Sequence, residues 1–400
     1  MNPSTHASLV LSLLALSASA SAQLSGSYTV GPSGNYSTLA AASAALSTSG
    51  VNGPVEMVLS AGGTYTESWS LSPIPGTSAT NTVTFRSAVT NINTLKAKLV
   101  ATAGDLLTIN GGVDWLILDG LNFQTVSGAS AINCLRNGTP AVAVTNLTIR
   151  NCVFGQGVVP NASYGAIRTQ SINTWWLLDN EFDLNGTAVY SQGSINMEIA
   201  RNVFTSNSPY CLSIWNSNKS QSRMHNNVFL GTITSACIRI NLSHYGTDIF
   251  HNTFNLLIPS GSGVAVYNSS CCAVWNRYFN NIFAISGSGY AINHLNQKDI
   301  EINNNLYWTA SKVIGSYNNT TYNTLAAWGA ALGTYAQNGN NDNNSIVADP
   351  LFKPATSFEL LPASPAVGKA LPQPASWTAG HEVLDDLRGY MRGNKKDIGA

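Results

Sequence analysis

The sequence predicts an all-β fold, a single-stranded parallel β-helix in which the chain winds as a solenoid. Three observations carry that expectation. An aromatic residue recurs at Phe123, Phe154, Phe182, Phe204, Phe229, Phe254, Phe283 and Tyr307, at intervals of 22 to 31 residues. A drifting period in the mid-twenties, with strand-like residues between Gly, Ser and Asn turns, is the mark of stacked coils. Asparagine stands two places before the aromatic in six successive units, at Asn180, Asn202, Asn227, Asn252, Asn281 and Asn305. The composition agrees, because only 10% of residues are charged and helix-forming Lys and Glu are scarce.

Aligning units on the aromatic turns the sequence into columns. Five places before it stand Leu118, Ile149, Leu177, Ile199, Met224, Ile249, Tyr278 and Ile302, which should face the core. If each unit is one coil and coils stack about 4.8 Å apart, every column becomes a ladder. Stacked phenylalanines bury aromatic area. Stacked asparagines can hydrogen-bond up and down the stack, and Asn also tolerates a left-handed bend at a corner. Six places before the aromatic, Glu198, Arg223, Asp248, Arg277 and Glu301 alternate in sign. Such a column is expected to fix register, each contact contributing roughly 0.2–1 kcal/mol.

A second strand recurs between the aromatic strands, as "SAINC" (130–134), "GAIRT" (165–169), "TAVYS" (187–191), "LSIWN" (212–216), "IRINL" (238–242), "VAVYN" (264–268) and "YAINH" (290–294). Ile132, Ile167, Val189, Ile214, Ile240, Val266 and Ile292 read as its inward column.

Taken in chain order, residues 1–22 read as a signal peptide. An apolar run, Leu9–Leu16, precedes a small-residue cleavage pattern at Ala20, Ser21 and Ala22. The run is too short to span a bilayer. Residues 23–67 form an N-terminal cap and first strands, with a short helix over Thr38–Leu46 capped by Ser37. Residues 68–316 are the coils, and 317–400 a last coil and capping segment. There the stretch 336–345, "AQNGNNDNNS", reads as an insertion, and Asp386, Arg388, Arg392 and Asp397 as a salt-bridged edge cap. A solenoid must cover both of its open ends.

The opening "GSYTVGPSGNYSTLAAASAALSTSGVNGPVEMVLSAGGTYTE" (26–67) and the closing "SIVADPLF", "SPAVGKA" and "DDLRGYMRGNKKDIGA" resemble the ends of the secreted bacterial right-handed parallel β-helix proteins of the pectin-lyase-like superfamily. The resemblance spans the chain after residue 22. It implies a right-handed helix and a secreted or cell-surface protein. It does not select an activity, since the scaffold carries lyases, hydrolases, adhesins and inert surface proteins.

Formal net charge is zero, so the chain carries no electrostatic footprint for nucleic acid or an anionic membrane. A lyase on this scaffold would need a strong base and a neutraliser for the substrate carboxylate, often calcium. Asp179, Glu181 and Asp183 in "DNEFD" form the densest acidic group and a candidate calcium site. The competing reading pairs Asp179 with Arg201 in the next coil. On the second strand, Ala131, Ala166, Ala188, Ser213, Ala265 and Ala291 read as an outward trough of small residues, interrupted by Arg239. Beside it run Asn133, Arg168, Tyr190, Trp215, Asn241, Tyr267 and Asn293. Flat rings with amide and guanidinium donors suit an extended sugar chain. Tyr190, Trp215, Asn241, Tyr267 and Asn293 are therefore the candidate binding residues, and packing across coils is the competing explanation. Arg168 and Arg239, as base or carboxylate clamp, and His244, as proton carrier, are the catalytic candidates.

Cys211 with Cys237, and Cys134 with Cys152, are expected disulfides, which export would permit. Cys271 and Cys272 are either a vicinal pair or separate thiols. The reading is a monomeric, secreted polysaccharide-binding β-helix, with lyase activity on an acidic glycan as its catalytic form. The alternative is a non-catalytic surface or adhesion protein.

Overall fold

The computed structural model describes residues 22–101, 104–125, 135–137, 142–155, 165–184, 186–206, 209–215, 222–241, 247–269, 276–295, 300–333, 336–354, 356–372, 385–392 and 396–400. Residues 1–21 of the expected signal peptide, with Cys134, His244, Cys271 and Cys272, lie outside these residues.

Three long sheets form the walls of a parallel β-helix. Sheet A has twelve described strands, from Leu24–Val30 to Ala336–Asn341. Sheet B has eleven, from Thr64–Tyr65 to Ile346–Val347, and carries the aromatic column. Sheet C also has eleven, ten parallel ones from Trp69–Leu71 to Gly315–Tyr317 and a last, antiparallel one, Thr320–Tyr322.

The aromatic column stacks as expected. Successive rings from Phe123 to Phe283 lie 4.7–4.9 Å apart with interplanar angles of 4–12°, and Tyr307 closes the row at 5.5 Å. The coil spacing of a parallel sheet imposes that distance. Leu118, Ile149 and Leu177 stand in register on sheet A, and so do Ile199, Met224, Ile249, Tyr278 and Ile302. All are buried.

Between sheets A and B the chain turns sharply. The left-handed residue is the one preceding the ladder asparagine: Asp179, Arg201, Asn226, His251, Asn280 and Asn304 have φ of 53–59°, and Asn151, before Cys152, takes the same conformation one coil earlier. The ladder asparagine itself points inward. Asn202 Nδ2 donates to Asn227 Oδ1 at 3.0 Å, and that same oxygen accepts from the Asn202 backbone N–H at 3.0 Å. The pattern repeats from Asn180 to Asn305. The side chains thus satisfy buried backbone groups that the turn strips from the sheet.

The alternating charges fall in register on sheet A. Arg277 grips Asp248 with two 2.6 Å hydrogen bonds, Nε to Oδ1 and Nη2 to Oδ2, in a buried pair. Arg223 lies 3.9 Å from Glu198 and over the Phe250 ring.

Helix α1, Leu39–Ser49, covers the first coil. Its cap is Thr38, one residue later than expected, with Thr38 Oγ1 accepting from Ala41 N–H at 3.0 Å. The Glu67 carboxylate accepts from the next two free amides, Leu39 and Ala40, and the helix dipole favours it there. Helix α2, Leu325–Leu332, seals the other end with Trp328 fully buried.

At the C-terminal end, residues 336–341 form the last rung of sheet A and lead into a buried polar cluster; the register shifts there, Ala336 pairing with Ile300 and Asn341 with Ile302, so the segment carries extra residues as an insertion does. There the Asp342 carboxylate accepts from Tyr307 Oη (2.6 Å) and Trp328 Nε1 (2.9 Å), and it also pairs with Ser345 Oγ. The Asp386, Arg388, Arg392 and Asp397 set is not one mutual ion network. Arg392 donates instead to the carbonyls of Asp385, Asp397 and Gly399 and to Asn226 Oδ1. Asp385 in turn accepts from Asn226 and Arg201, while Arg388 pairs with Glu359. Lys369 and Leu371 meet Asn304 and Asn280. The tail therefore runs back as a strap across the left-handed corner of several coils.

Candidate functional site

Outward positions on sheet C form one register column, Ser70, Thr108, Arg168, Tyr190, Ser213, Arg239, Tyr267, Asn293 and Ser316, with the backbone of Arg136 in register between Thr108 and Arg168. Two residues along, Gln170, Gln192, Trp215 and Asn241 form a second. The sequence alignment had put Trp215 and Asn241 beside Tyr190 and Tyr267, two residues out of register. Val189 in fact pairs with Leu212, not Ile214, and Ile238, not Ile240, pairs with Val266. Side chains alternate with a period of two, so a slip of two residues leaves the polarity pattern unchanged. In the coil before Arg168 the rung is Leu135–Asn137. The expected strand 130–134, with Ala131, Ile132 and Asn133, lies outside the described residues.

The small-residue trough is also corrected. Ala166, Ala188, Ala265 and Ala291 are fully buried core residues, and Ser213 belongs to the outward column. Each alanine immediately precedes the inward residue of its strand, and in two coils that place is taken by Cys211 and Cys237. Two consecutive inward residues at the strand entrance leave room for small side chains alone. Cys211 and Cys237 stand in adjacent rungs, with the Cys211 N–H donating to the Cys237 carbonyl at 2.8 Å, and both are free thiols in this structure. Burial, then the hydrogen bond with Cys211, pushes the Cys237 thiol well above its ordinary range. Cys152 is a third buried free thiol, pushed up to about 12, chiefly by burial.

Around Arg239 the outward face is tightly organised. Its guanidinium carbon lies 5.1 Å from the Tyr210 ring centre and 5.0 Å from that of Trp215. Nη1 donates to Tyr210 Oη at 2.7 Å. With the Asn241 amide oxygen turned toward it, Nη2 and Nε donate there at 3.0 and 3.2 Å. Trp215 Nε1 donates to Ser213 Oγ (2.9 Å), and the Trp215 ring lies 6.4 Å from Tyr190, inclined by 34°. Toward the C-terminal end, Asn293 Nδ2 donates to Tyr290 Oη at 3.1 Å, while the buried Asn293 Oδ1 has no partner. Arg168, Tyr190, Trp215, Arg239, Tyr267 and Asn293 are all half-buried, so each shows an edge or face to solvent. No Asp or Glu occurs among the described residues of the two columns.

Sequence reasoning missed Tyr210 and Tyr290. Both lie at the entrance to a strand, where the repeat offers no fixed column.

The acidic trio does not converge as expected. Asp179 sits at the left-handed corner, in a two-pronged pair with Arg201 at 2.7 and 2.9 Å. Glu181 accepts from Asn93 Nδ2 at 2.7 Å, and Asp183 from Thr205 Oγ1 at 3.3 Å, both on sheet B. The corner takes Asp179 off the strand face that Glu181 and Asp183 share. Among the described residues, no group of three or more His, Cys, Asp or Glu is placed to hold a metal ion. Likewise, no described helix is long and apolar enough to cross a membrane.

No family model and no curated protein matches the chain. Among solved structures it is similar to an alginate lyase from Paenibacillus sp. str. FPU-7, at 14% identity and a TM-score of 0.36, over 62% of this chain and 96% of that one. A likeness of that degree carries no statement about activity.

Proposed function

We propose that the protein binds an extended polysaccharide along the outer face of sheet C, outside the cell. The observation that carries this reading is the Arg239 guanidinium, stacked between Tyr210 and Trp215 and in line with Tyr190 and Tyr267. Tyr and Trp present flat apolar faces to sugar rings. A guanidinium already flattened and oriented loses little freedom when it binds hydroxyl or carboxylate oxygens. Arg168 stands two rungs from Ser213 in the same column and adds a second positive charge. With no acidic residue in the described columns, the face favours anionic sugars. Successive outward side chains are one coil apart, about 4.8 Å, so the columns run along the solenoid axis. An extended glycan would lie in that direction.

The same geometry makes Arg239 a clamp. Its nitrogens act as donors to Tyr210 and Asn241, and a guanidinium does not give up its proton in proteins. Binding, rather than elimination, is the function the described residues support best.

Titration calorimetry against pectate, alginate, glycosaminoglycans and neutral glycans tests the proposal, with Tyr190→Ala and Trp215→Ala as variants. Unsaturated-product absorbance, with and without calcium, reports lyase action in the same samples. Binding without product identifies a binding protein, and binding with product a lyase. Silence across the panel refutes both and leaves the rigid surface protein.

A further inference from the structure

Cys211 and Cys237 stand on successive rungs at the entrance to two strands of sheet C, Leu212–Trp215 and Ala236–Asn241. Leu212 pairs with Ile238, so the two cysteines share one column, with Ala188 on the rung before and Ala265 on the rung after. Both side chains lie in the core and are fully buried. The Cys211 N–H donates to the Cys237 carbonyl at 2.8 Å, and the two thiols are hydrogen-bonded to each other. A buried cysteine often serves as no more than a small apolar side chain. Alanine already meets that need in the neighbouring coils, so packing alone does not call for sulfur on two successive rungs.

The geometry suits a covalent bond between them. Disulfides join Cα atoms about 4.4–6.8 Å apart, and the rungs of a parallel sheet are spaced at about 4.8 Å. The Cβ atoms of a disulfide sit closer, at about 3.8 Å, so closing the bond asks for roughly 1 Å of movement. The column leaves room for it, because the side chains before and after the pair are the methyl groups of Ala188 and Ala265. The strand entrance is also relaxed from ideal ladder geometry: the Cys211 carbonyl accepts from both the Ala188 N–H, at 3.2 Å, and the Val189 N–H, at 3.0 Å.

We propose that Cys211 and Cys237 are a disulfide-forming pair that staples two successive coils of the solenoid. Each thiol gives up one proton and one electron, an S–S bond forms between the two sulfurs, and the oxidant, a small-molecule or protein disulfide, leaves as two thiols. The exchange belongs to folding, before the core closes over the thiols and holds them protonated and unreactive. Tyr210 immediately precedes Cys211, and Arg239 follows Cys237 by two residues. The bond therefore ties the coil that carries Tyr210 to the coil that carries Arg239, on the core side of their 2.7 Å hydrogen bond. The cysteines are 26 positions apart, so the bond also closes a sizeable loop and removes freedom from the unfolded chain. None of this depends on what the outer face binds.

The test is peptide mapping by mass spectrometry of the full chain, folded in a mixture of oxidised and reduced glutathione, then unfolded and capped with N-ethylmaleimide. Tryptic cleavage at Lys219 and Arg223 places the two cysteines on different peptides. A peptide pair joined through Cys211 and Cys237 is expected. The double variant Cys211→Ala/Cys237→Ala, which puts in the residue the column already accepts, supplies the second measurement. In oxidising buffer it should melt several degrees below wild type, and in reducing buffer the two should melt together, whatever the other cysteines do. The inference is overturned if both cysteines carry the maleimide, if either is joined to a different cysteine, or if the oxidised variant melts with oxidised wild type. Should the variant fail to fold, the peptide map decides alone.

Discussion

Asn227→Ala removes a central rung of the asparagine ladder. The side chain is fully buried and makes four hydrogen bonds. Its Oδ1 accepts from the N–H and the Nδ2 of Asn202, both at 3.0 Å; its Nδ2 donates to the Ile199 carbonyl at 2.8 Å and to Asn252 Oδ1 at 3.0 Å. Alanine leaves the Asn202 N–H without its acceptor and the Ile199 carbonyl without this donor. Asn202 Nδ2 keeps the Leu177 and Ala200 carbonyls, and Asn252 Oδ1 keeps the Asn227 N–H, so those groups are not stranded. Two buried groups losing partners at about 1–3 kcal/mol each give an expected loss of about 2–6 kcal/mol. Urea unfolding followed by tryptophan fluorescence measures it, with Asn255→Ala as the control. Asn255 makes one hydrogen bond, to the Ser357 carbonyl on the outside, and its loss should cost under about 1 kcal/mol. A loss below about 1 kcal/mol for Asn227→Ala, at unchanged denaturant dependence, would refute the assignment of the ladder as a stabilising element.

Three further outcomes are expected. Burial pushes the Asp248 carboxyl up to about 6 despite Arg277, so the folded state binds this proton more tightly than the unfolded state. Stability should therefore fall as pH rises from about 4 to 6, by an amount on the order of 3 kcal/mol, and Asp248→Asn should flatten that slope relative to wild type. Arg392→Ala deletes donors to Asp385, Asp397, Gly399 and Asn226. The strap should then exchange its amides faster by hydrogen–deuterium exchange, together with the corner at 222–227, while the Phe123–Phe204 coils stay protected. Arg239→Lys keeps the charge but loses the planar contact with Tyr210 and Trp215, and should weaken anionic glycan binding about tenfold by calorimetry without lowering the melting temperature by more than a few degrees.

The ladders were readable because each rests on one side-chain type at one offset. Phenylalanine, asparagine and alternating charge leave little freedom in aligning coils from Phe182 to Tyr307. Sheet C was readable only modulo two residues. Leu212 and Ile214 are both inward and apolar, so nothing in polarity separates the pairing of Val189 with one from its pairing with the other. The alanine column was assigned the wrong face for a related reason: alanine is as compatible with a crowded core corner as with a surface trough. Contacts far apart in sequence left no local trace. The Asp385–Arg201 pair joins residues 184 positions apart, and Asp342 lies in a polar run that looks like loop until Tyr307 and Trp328 close over it. At the candidate site, Tyr190, Trp215, Arg239 and Tyr267 stood out as exposed aromatics and cations on strands. Tyr210, which completes the stack, was hidden by its place before the strand.

Glycan binding by the Arg239 face is the property on which the proposed function rests. Titration calorimetry of wild type and Trp215→Ala against the acidic polysaccharide panel should show micromolar to millimolar binding that falls at least tenfold in the variant, with the melting temperature little changed. Binding of equal strength in both proteins, or no binding by wild type to any member of the panel, would contradict it.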